Sequence, residues 1–468
     1  MVGRRLLMKK NLVFFMTDQQ RFDTLFADIG DQLVTPTWNA LAMDGIHLAR
    51  TYSSCPLCVP SRTSLATGIN PLKNKMILND LPGVLAQNHT SLHKMLHEEG
   101  YDVAHIGVNH ISLDPPLKES IPFAAWEDDE SYERHAREHG VSVVPDSSQR
   151  SEINEYANGE YRKKLYSNAV VRSFDNDLSL FKDVWFTTRA VEYIRKEHTK
   201  PFALFICLWA PHPPLVVPPA YRAKFDPDKV KFPPSFLKPP KNGAQGRKYG
   251  ASAQLGKLTD PDIWKEAWAA HYSLTNLADE QLGRVVAALK ETSLFEETLI
   301  VCTADHGEQL GEHGNYQKME MYESAIRVPA VFRMKGLKQN RIDTPISHLD
   351  FVPTILDLLE VDVDQTFEGQ SHADSFLNGE PLSPSPVFAV YNGNHALGDI
   401  RRMIVEGGWK YIWDGEEAEL FDLVSDPDEL VNLSGQAHLR EREYDLHRQL
   451  STWAKNQNDW IDYNRRWN

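Results

Sequence analysis

The stretch Cys58-Val59-Pro60-Ser61-Arg62, continued by Thr-Ser-Leu-Ala-Thr-Gly at residues 63–68, places a thiol beside a proline and directly before a run suited to a helix. Pro60 fixes its own φ and biases Val59 toward an extended conformation, so we expect Cys58 at a sharp turn before a helix N-terminus. A nucleophile at that position lies near the positive end of the helix, and the Arg62 guanidinium can bind an anionic oxygen through two hydrogen bonds. This chemistry is suited to attack on a tetrahedral oxyanion ester.

The composition indicates a globular enzyme and argues against a nucleic-acid-binding protein. The length of 468 residues suggests one large α/β domain with a smaller companion, and contents of 41% hydrophobic and 25% charged residues are ordinary for such a protein. A net charge of −15 lacks the basic field that a nucleic-acid partner requires. An anion site must therefore be built locally from cationic side chains and a metal.

The cysteines predict no disulfide framework, because four of them, Cys55, Cys58, Cys207 and Cys302, are too few for a chain of this length. Cys55 and Cys58 have the spacing of a redox CxxC motif, but no thioredoxin-like pattern surrounds them. The residues that follow Cys58 explain the motif better, so we reject the redox interpretation.

The N-terminal segment predicts neither a signal peptide nor a membrane anchor. Residues 1–10 are basic, but the apolar run at 11–16 is short, lacks a small-residue cleavage site and is soon followed by Asp18. No stretch approaches the length of a transmembrane span. We therefore expect a cytoplasmic protein without a membrane partner, with its first buried strand at 12–17.

Polar residues follow four predicted strands at the point where each strand ends. These strands and residues are 12–17 with Asp18 and Gln19, 101–107 with His110, 202–209 with His212, and 297–303 with Asp305 and His306. In parallel α/β sheets, ligands gather at the carboxyl ends of the strands. The pattern predicts an α/β fold with a large, mostly parallel sheet between helices and a functional site at this edge.

The pattern changes after about residue 380. Short antiparallel strands are predicted at 401–405, 409–412 and 419–422, before a closing helix at 441–455. We therefore divide the chain into a catalytic domain, 1–375, and a C-terminal α+β subdomain with a short antiparallel sheet, 376–468.

Three further segments are predicted to lie at the surface. Residues 111–180 are interpreted as an insertion around the active-site mouth, and 218–261 as a long surface excursion. The aromatic tail at 460–467 suggests docking on a neighbouring subunit, and hence a homo-oligomer.

Asp18, Asp305 and His306 form a candidate metal site. Carboxylate oxygens with one imidazole would hold a divalent cation, which would polarise an ester and lower the pKa of the nucleophile. A lone aspartate after a strand is usually a cap, so the assignment depends on the placement of these residues together with Cys58.

These motifs resemble those of the type I sulfatases, in the alkaline phosphatase superfamily, along nearly the whole chain. The residues that carry the resemblance at the nucleophile are Cys58, Pro60, Ser61, Arg62, Leu65, Thr67 and Gly68. The resemblance implies an alkaline-phosphatase-like large mixed sheet. It also implies oxidation of Cys58 to formylglycine, whose hydrated aldehyde is the nucleophile. The maturation partner would be a formylglycine-generating enzyme or an anaerobic sulfatase-maturating enzyme.

The resemblance also implies a metal and its ligands. A divalent cation, Ca²⁺ in first place with Mn²⁺ or Mg²⁺ as alternatives, would be held by Asp18, the modified Cys58, Asp305 and His306. Gln19 lies where many relatives have a second ligating aspartate, so we assign it to substrate binding instead.

Three residues resemble the family's remaining catalytic groups. Lys318, in Gly-Asn-Tyr-Gln-Lys, would bind the sulfuryl and leaving oxygens. His212, held between prolines, would hydrogen-bond or protonate the leaving group. His110 would deprotonate the diol when sulfate is expelled.

Three features place the chain nearer the phosphonate monoester hydrolase and choline sulfatase branch, and the first is the Asp-His-Gly form that it shares at residues 305–307. Val108 replaces the lysine of the family's Gly-Lys-Trp-His stretch, so one cation that many sulfatases place on the substrate is missing. Asn79, 21 residues after Cys58, matches an asparagine near the substrate in that branch.

The predicted function is hydrolysis of an organic sulfate monoester to an alcohol and inorganic sulfate. Hydrolysis of phosphonate monoesters or phosphodiesters by the same groups is the alternative, and a non-catalytic binding protein is disfavoured because all main chemical positions except 108 are filled. A carbohydrate, an aryl or a small alkyl sulfate remains open as substrate. Candidate residues at the rim are Trp126, Trp209, Asn392, Asn394 and His395.

Overall fold

The computed structural model describes residues 9–79, 84–144, 146–464 and 466. Its strands are β1 Asn11–Asp18, β2 Ile46–Leu48, β3 Thr51–Tyr52, β4 Ala86–Gln87, β5 Asp102–Gly107, β6 Leu113–Asp114, β7 Ala125–Glu127, β8 Arg150–Ala157, β9 Glu160–Ser167, β10 Arg172–Ser173, β11 Phe202–Pro211, β12 Val216–Val217, β13 Thr298–Ala304, β14 Arg327–Val328, β15 Ala330–Arg333, β16 Asn340–Ile342, β17 Ile346–Ser347, β18 Val387–Tyr391, β19 Arg401–Glu406, β20 Trp409–Trp413 and β21 Ala418–Asp422.

The α-helices lie mostly between these strands. They are α1 Pro36–Asp44, α2 Cys58–Thr67, α3 Pro71–Asn74, α4 Leu92–Glu98, α5 Leu117–Ser120, α6 Asp129–Glu138, α7 Lys182–Ile194, α8 Pro219–Arg222, α9 Ala251–Leu258, α10 Trp264–Glu291, α11 Glu323–Ile326, α12 Phe351–Leu358, α13 Ala373–Asn378 and α14 Arg440–Asn456. None of the helices in these described ranges combines the length and the apolarity needed to cross a membrane.

The central sheet has eight strands in the order β16-β2-β15-β13-β1-β11-β5-β7. The strands β13, β1, β11, β5 and β7 are parallel neighbours, whereas β15 is antiparallel to both β13 and β2. The predicted large mixed, mostly parallel sheet is therefore confirmed.

The alternation of side chains along β1 explains why both faces of this sheet are covered. Val13 and Phe15 are buried in one apolar cluster, which includes residues of α1, α7 and α10. Leu12, Phe14 and Met16 are buried in a second cluster, which includes residues of α4, α12 and α13. Because both faces are buried, the strand is a continuous apolar run, as expected for a parallel sheet.

The C-terminal part of the chain forms the predicted antiparallel sheet, with four strands in the order β18-β19-β20-β21. The helix α14 packs on it through Leu446, Leu450 and Ala454. Lys410 of β20 is fully buried and binds Glu323 and Glu429 at 2.7 and 2.8 Å, which links this sheet to the start of α11. The boundary between 375 and 376 stays a prediction.

The tail lies on its own subdomain as far as it is described. Tyr463 is buried, the Trp413 Nε1–H donates to the Asp462 carbonyl at 3.2 Å, and Asp459 pairs with Arg402 at 2.7 Å. Trp467 and residues 1–8 lie outside the described residues. The homo-oligomer and the cytoplasmic location stay predictions.

Three local expectations were wrong or incomplete. Val59 is helical, because α2 already begins at Cys58 and Pro60 lies in its first turn, where a missing N–H costs little. The segment 218–261 is more than a surface excursion, since Leu255 of α9 is 1% exposed. The insertion 111–180 contains the regular hairpin β8–β9, which its weak periodicity did not indicate.

Candidate active site

The carboxyl ends of four parallel strands bring the candidate residues to one edge of the central sheet. Asp18 ends β1, Asp305 directly follows β13, His212 directly follows β11, and His110 lies three residues after β5. β5 ends at Gly107, whose φ is +130° and where a Cβ would lie 2.0 Å from the Cys207 carbonyl oxygen. Only glycine fits this close approach of β5 to β11.

Cys58 opens α2 and points into this edge of the sheet. Its Sγ lies 2.9 Å from the Lys318 Nζ and 3.2 Å from the His306 Nε2. Burial, together with the Asp18 carboxylate, raises the pKa of the Cys58 thiol to about 12. Burial thus outweighs the expected influence of the helix N-terminus, and an unmodified thiol would be protonated and a weak nucleophile at neutral pH.

Four buried residues converge on one point that suits a divalent cation. The Asp18, Cys58, Asp305 and His306 donor atoms all lie within 4.8 Å of one another. The His306 Nδ1 lies 3.1 Å from the Gly307 carbonyl oxygen, and this hydrogen bond leaves the Nε2 lone pair directed at the cluster. Burial lowers the pKa of His306 to about 3, so the imidazole is neutral, as a metal ligand must be.

The Asp18 carboxylate needs more positive charge than the nearby side chains supply. Burial and the neighbouring Asp305 raise the pKa of Asp18 to about 7, although Arg62 opposes this shift. The Arg62 guanidinium binds both carboxylates, donating to the Asp18 Oδ2 at 2.7 Å and to the Asp305 Oδ2 at 2.8 Å. A divalent cation facing the two Oδ1 atoms would complete the neutralisation, so the donor set fits such an ion.

The Arg62 contacts differ from the expected ones. The sequence indicated an anionic oxygen at the nucleophile as the partner of its guanidinium, whereas the guanidinium binds the Asp18 and Asp305 carboxylates. A third hydrogen bond goes to the Val108 carbonyl at 3.1 Å. Val108 is 1% exposed, so its apolar side chain packs where many sulfatases carry a lysine.

Lys318 connects the nucleophile to His212 and Gln19. Its ammonium donates to the Cys58 Sγ, the Gln19 Oε1 and the His212 Nε2, each at 2.9 Å. Burial lowers the pKa of Lys318, but the Cys58 sulfur and the Asp18 and Asp305 carboxylates outweigh this and raise it. Lys318 therefore carries its proton.

The His212 imidazole accepts a hydrogen bond from the Lys318 ammonium and does not donate one to it. Its Nδ1 is bonded to the Pro213 carbonyl oxygen, which leaves the Nε2 as the acceptor. Burial and the Lys318 charge lower the pKa of His212 well below its usual value. The group that holds the proton next to the nucleophile is therefore Lys318.

Gln19 and Asn79 orient other site residues. The Gln19 backbone N–H donates to the Asp305 Oδ1 at 3.0 Å, and its side-chain amide donates to Glu308. The Asn79 Oδ1 accepts from the Val59 N–H at 3.1 Å and so binds the first turn of α2. The assignment of Gln19 to substrate binding stays a prediction.

Cys58 opens into a cavity of about 320 Å³, which also contains Asn79, His110, His212 and Lys318. Burial lowers the pKa of His110 to about 3, and its Nδ1 has no hydrogen-bond partner among the described residues. Clefts of about 580 and 500 Å³ lie elsewhere in the molecule, but neither contains these groups.

The rim candidates divide into two groups. Asn394 and His395 line the cavity, and Trp209 packs on His212 with a ring separation of 4.2 Å. Trp126 stacks on His105 and donates to Asp128 at 2.7 Å, which indicates a structural role. Asn392 is fully buried and does not line the cavity.

Sequence reasoning missed several cavity residues that come from the hairpin and from the loop before α11. They are Arg150, Leu165, Tyr166, Ser167 and Gln317. The expectation that the insertion 111–180 borders the site is confirmed, but no motif marks these positions. The Tyr166 hydroxyl lies 3.0 Å from the Asn394 Nδ2 and 3.0 Å from the His395 Nδ1. These contacts join the hairpin to the C-terminal subdomain.

Comparison with known proteins identifies the family of this chain. The sulfatase family model matches residues 10–361, which is most of the chain. The chain belongs to the sulfatase family. The model of the C-terminal region of N-sulphoglucosamine sulphohydrolase also matches, over residues 311–456. Membership makes the protein a hydrolase of sulfate esters and implies a metal ion and a formylglycine made from a cysteine.

Individual relatives cover almost the whole chain. An arylsulfatase of Clostridium perfringens is 25% identical over 93% of this chain and 92% of its own. Phosphonate monoester hydrolase SpPMH from Silicibacter pomeroyi superposes with a TM-score of 0.77, 22% identity and 96% coverage of both chains. BT4656, solved with its substrate D-glucosamine-2-N,6-O-disulfate, has a TM-score of 0.73, 20% identity and coverage of 96% of this chain and 98% of its own. These structures share the fold.

Proposed function

We propose that this sulfatase cleaves an organic sulfate monoester through a formylglycine made from Cys58, beside a divalent cation held by Asp18, Asp305, His306 and the modified residue. One observation carries the proposal: the Cys58 Sγ lies beside both this donor set and Lys318. The Sγ stands where a formylglycine oxygen would lie. Ca²⁺ is the first expectation, with Mn²⁺ or Mg²⁺ as alternatives.

The modification explains how a buried cysteine can serve this chemistry. A thiol with a pKa of about 12 attacks poorly at neutral pH. The hydrated aldehyde would supply one hydroxyl for attack on sulfur and a second whose deprotonation would expel sulfate, and the cation would supply positive charge beside the attacking oxygen.

The side chains around Cys58 then have separate tasks. Arg62 positions the two carboxylates, and Lys318 binds the sulfuryl oxygens and gives a proton to the leaving alcohol. His212 accepts from Lys318 and aims it, and a neutral His110 can take the proton of the second hydroxyl. Asn79 fixes the turn that carries the nucleophile.

The proton source predicts a difference between Lys318 and His212 variants. Lys318→Gln is expected to lower kcat on an alkyl sulfate by about 10²–10⁴-fold, because the leaving alkoxide loses its proton donor. On 4-nitrophenyl sulfate the loss should be smaller, since that leaving group needs little protonation. His212→Gln retains a hydrogen-bond acceptor for Lys318, so kcat should fall only about tenfold on both the alkyl and the aryl ester.

Steady-state kinetics on the two esters measure this difference. If His212→Gln were the variant with the larger loss on the alkyl sulfate, His212 would be the proton donor and the assignment above would be wrong.

The alternative, a phosphonate monoester or phosphodiester hydrolase, is favoured by one observation. Val108 removes a cation that many sulfatases place on the substrate, and its packing leaves that position apolar. A site with less positive charge could accept a different ester.

A paired rate measurement separates the two functions. Purified protein, with formylglycine at position 58 verified by peptide mass, is given 4-nitrophenyl sulfate and 4-nitrophenyl phenylphosphonate, which share a leaving group. We expect the larger kcat/KM for the sulfate. A phosphonate preference of orders of magnitude would overturn the proposal and establish the alternative. Carbohydrate sulfates are the first natural class to screen afterwards, as the substrate of BT4656 suggests.

A further inference from the structure

The cavity above Cys58 has an unusual charge composition for this protein. The chain carries 65 acidic and 50 basic residues, yet the thirteen described lining residues include Lys318 and Arg150 and no carboxylate. Asp18 and Asp305 lie beneath Cys58 and do not line the cavity. A sulfate ester brings one negative charge, and Lys318 next to Cys58 is placed to bind it. Arg150 therefore provides a second positive charge without an assigned partner.

Arg150 is held at the cavity by the register of the hairpin. It is the first residue of β8 and lies opposite Ser167 of β9, so both side chains are on the same face. Its hydrogen bond to the Ser167 Oγ is long, at 3.4 Å. Within the described part of the chain, no carboxylate lies within the 4.0 Å of an ion pair with Arg150.

The two carboxylates of β8, the strand that carries Arg150, are already engaged. Glu152, on the same face of the hairpin, pairs with Lys163 at 2.6 Å. Glu155 lies on the opposite face and contacts the His395 Nδ1 at 3.2 Å. Neither one neutralises Arg150, which leaves its guanidinium available to a ligand in the cavity.

We propose that Arg150 binds a second anionic group, a carboxylate or a second sulfate, on the alcohol part of the substrate. The inference rests on the proposed function, since it places the scissile sulfate at Cys58 and Lys318. Arg150 is exposed at the cavity, where a guanidinium can bind either oxyanion through two parallel hydrogen bonds. Leu165 is 63% exposed and next to Ser167 on the same face of the hairpin, and it offers an apolar contact to the part of the alcohol between the two anionic groups.

The test compares esters that differ only in the second charge. The 2-, 3- and 4-carboxyphenyl sulfates are each paired with the matching carboxamide, which is neutral and nearly the same size. We expect at least one carboxylate to exceed its amide by about tenfold in kcat/KM. Arg150→Gln should remove this preference and leave the amide within about twofold.

Arg162→Gln is the matched control, because it removes a guanidinium that pairs with Glu160 on the same hairpin outside the cavity, and it should retain the preference. Equal rates for all three pairs, or a preference that survives Arg150→Gln, would overturn the inference while normal turnover of the amides upholds the sulfatase function. If only phosphonates are hydrolysed, the sulfatase proposal fails instead, and the same comparison on carboxyphenyl phosphonate monoesters decides the role of Arg150.

Discussion

Cys58→Ala is expected to lower kcat/KM for sulfate esters by at least about 10⁴-fold, because alanine lacks the thiol that is needed to form the aldehyde. The alanine side chain fits the first turn of α2, so the fold should persist. The remaining cation ligands and Lys318 can still bind sulfate, and KM should therefore change less than kcat. Steady-state rates and circular dichroism on the same sample measure both expectations.

Cys58→Ser distinguishes a diol mechanism from simple nucleophilic catalysis. A serine hydroxyl can attack sulfur once, but its sulfate ester has no second hydroxyl whose deprotonation would expel sulfate. We therefore expect at most one equivalent of alcohol per enzyme, followed by arrest, in a rapid-mixing experiment. Sustained turnover by the serine variant would contradict the formylglycine mechanism.

The second large effect is expected for Asp305→Asn. The Asp305 Oδ1 faces the cation point, at 3.6 Å from the His306 Nε2, and the Oδ2 binds Arg62. Replacing this charged ligand by a neutral amide should empty or weaken the cation site. A loss of several kcal/mol of transition-state stabilisation corresponds to about 10²–10⁴-fold in kcat/KM.

Elemental analysis of dialysed protein provides the readout that activity alone does not give. The parent protein should hold about one divalent ion per chain, and Asp305→Asn much less. Asp279→Asn is the control, because Asp279 is also a buried carboxylate but caps α1 through the Thr37 and Trp38 N–H groups. Full metal content in Asp305→Asn, or a loss in Asp279→Asn, would contradict the assigned ligand set.

Much of the fold could be predicted because the signals were local. The continuous apolar runs of β1, β5, β11 and β13 marked buried parallel strands, and polar residues at their ends marked the functional edge. The helix α2 was predicted too, although its start was misjudged at Val59. Proline at this position biases its neighbour only weakly when tertiary contacts, here the Asn79 hydrogen bond to the Val59 N–H, hold the turn helical.

The roles within the site could be predicted less well than its members. The motif placed Arg62 near an anionic oxygen, but only the structure shows that its fork is occupied by Asp18 and Asp305. The sequence likewise could not decide whether Lys318 or His212 holds the proton. That depends on burial and on the Pro213 carbonyl, which fixes the His212 orientation.

The sequence by itself indicated the proposed nucleophile and cation ligands, which follow from short motifs, and determined the sheet that carries them, which follows from continuous apolar runs. Only the tertiary structure decided what surrounds them above the sheet. Arg150 and Tyr166 reach the cavity on a hairpin more than ninety residues from Cys58 in sequence, and Asn394 and His395 reach it from the C-terminal subdomain. Such contacts depend on how distant segments of the chain pack together, and this packing produces no recognisable pattern in the local sequence.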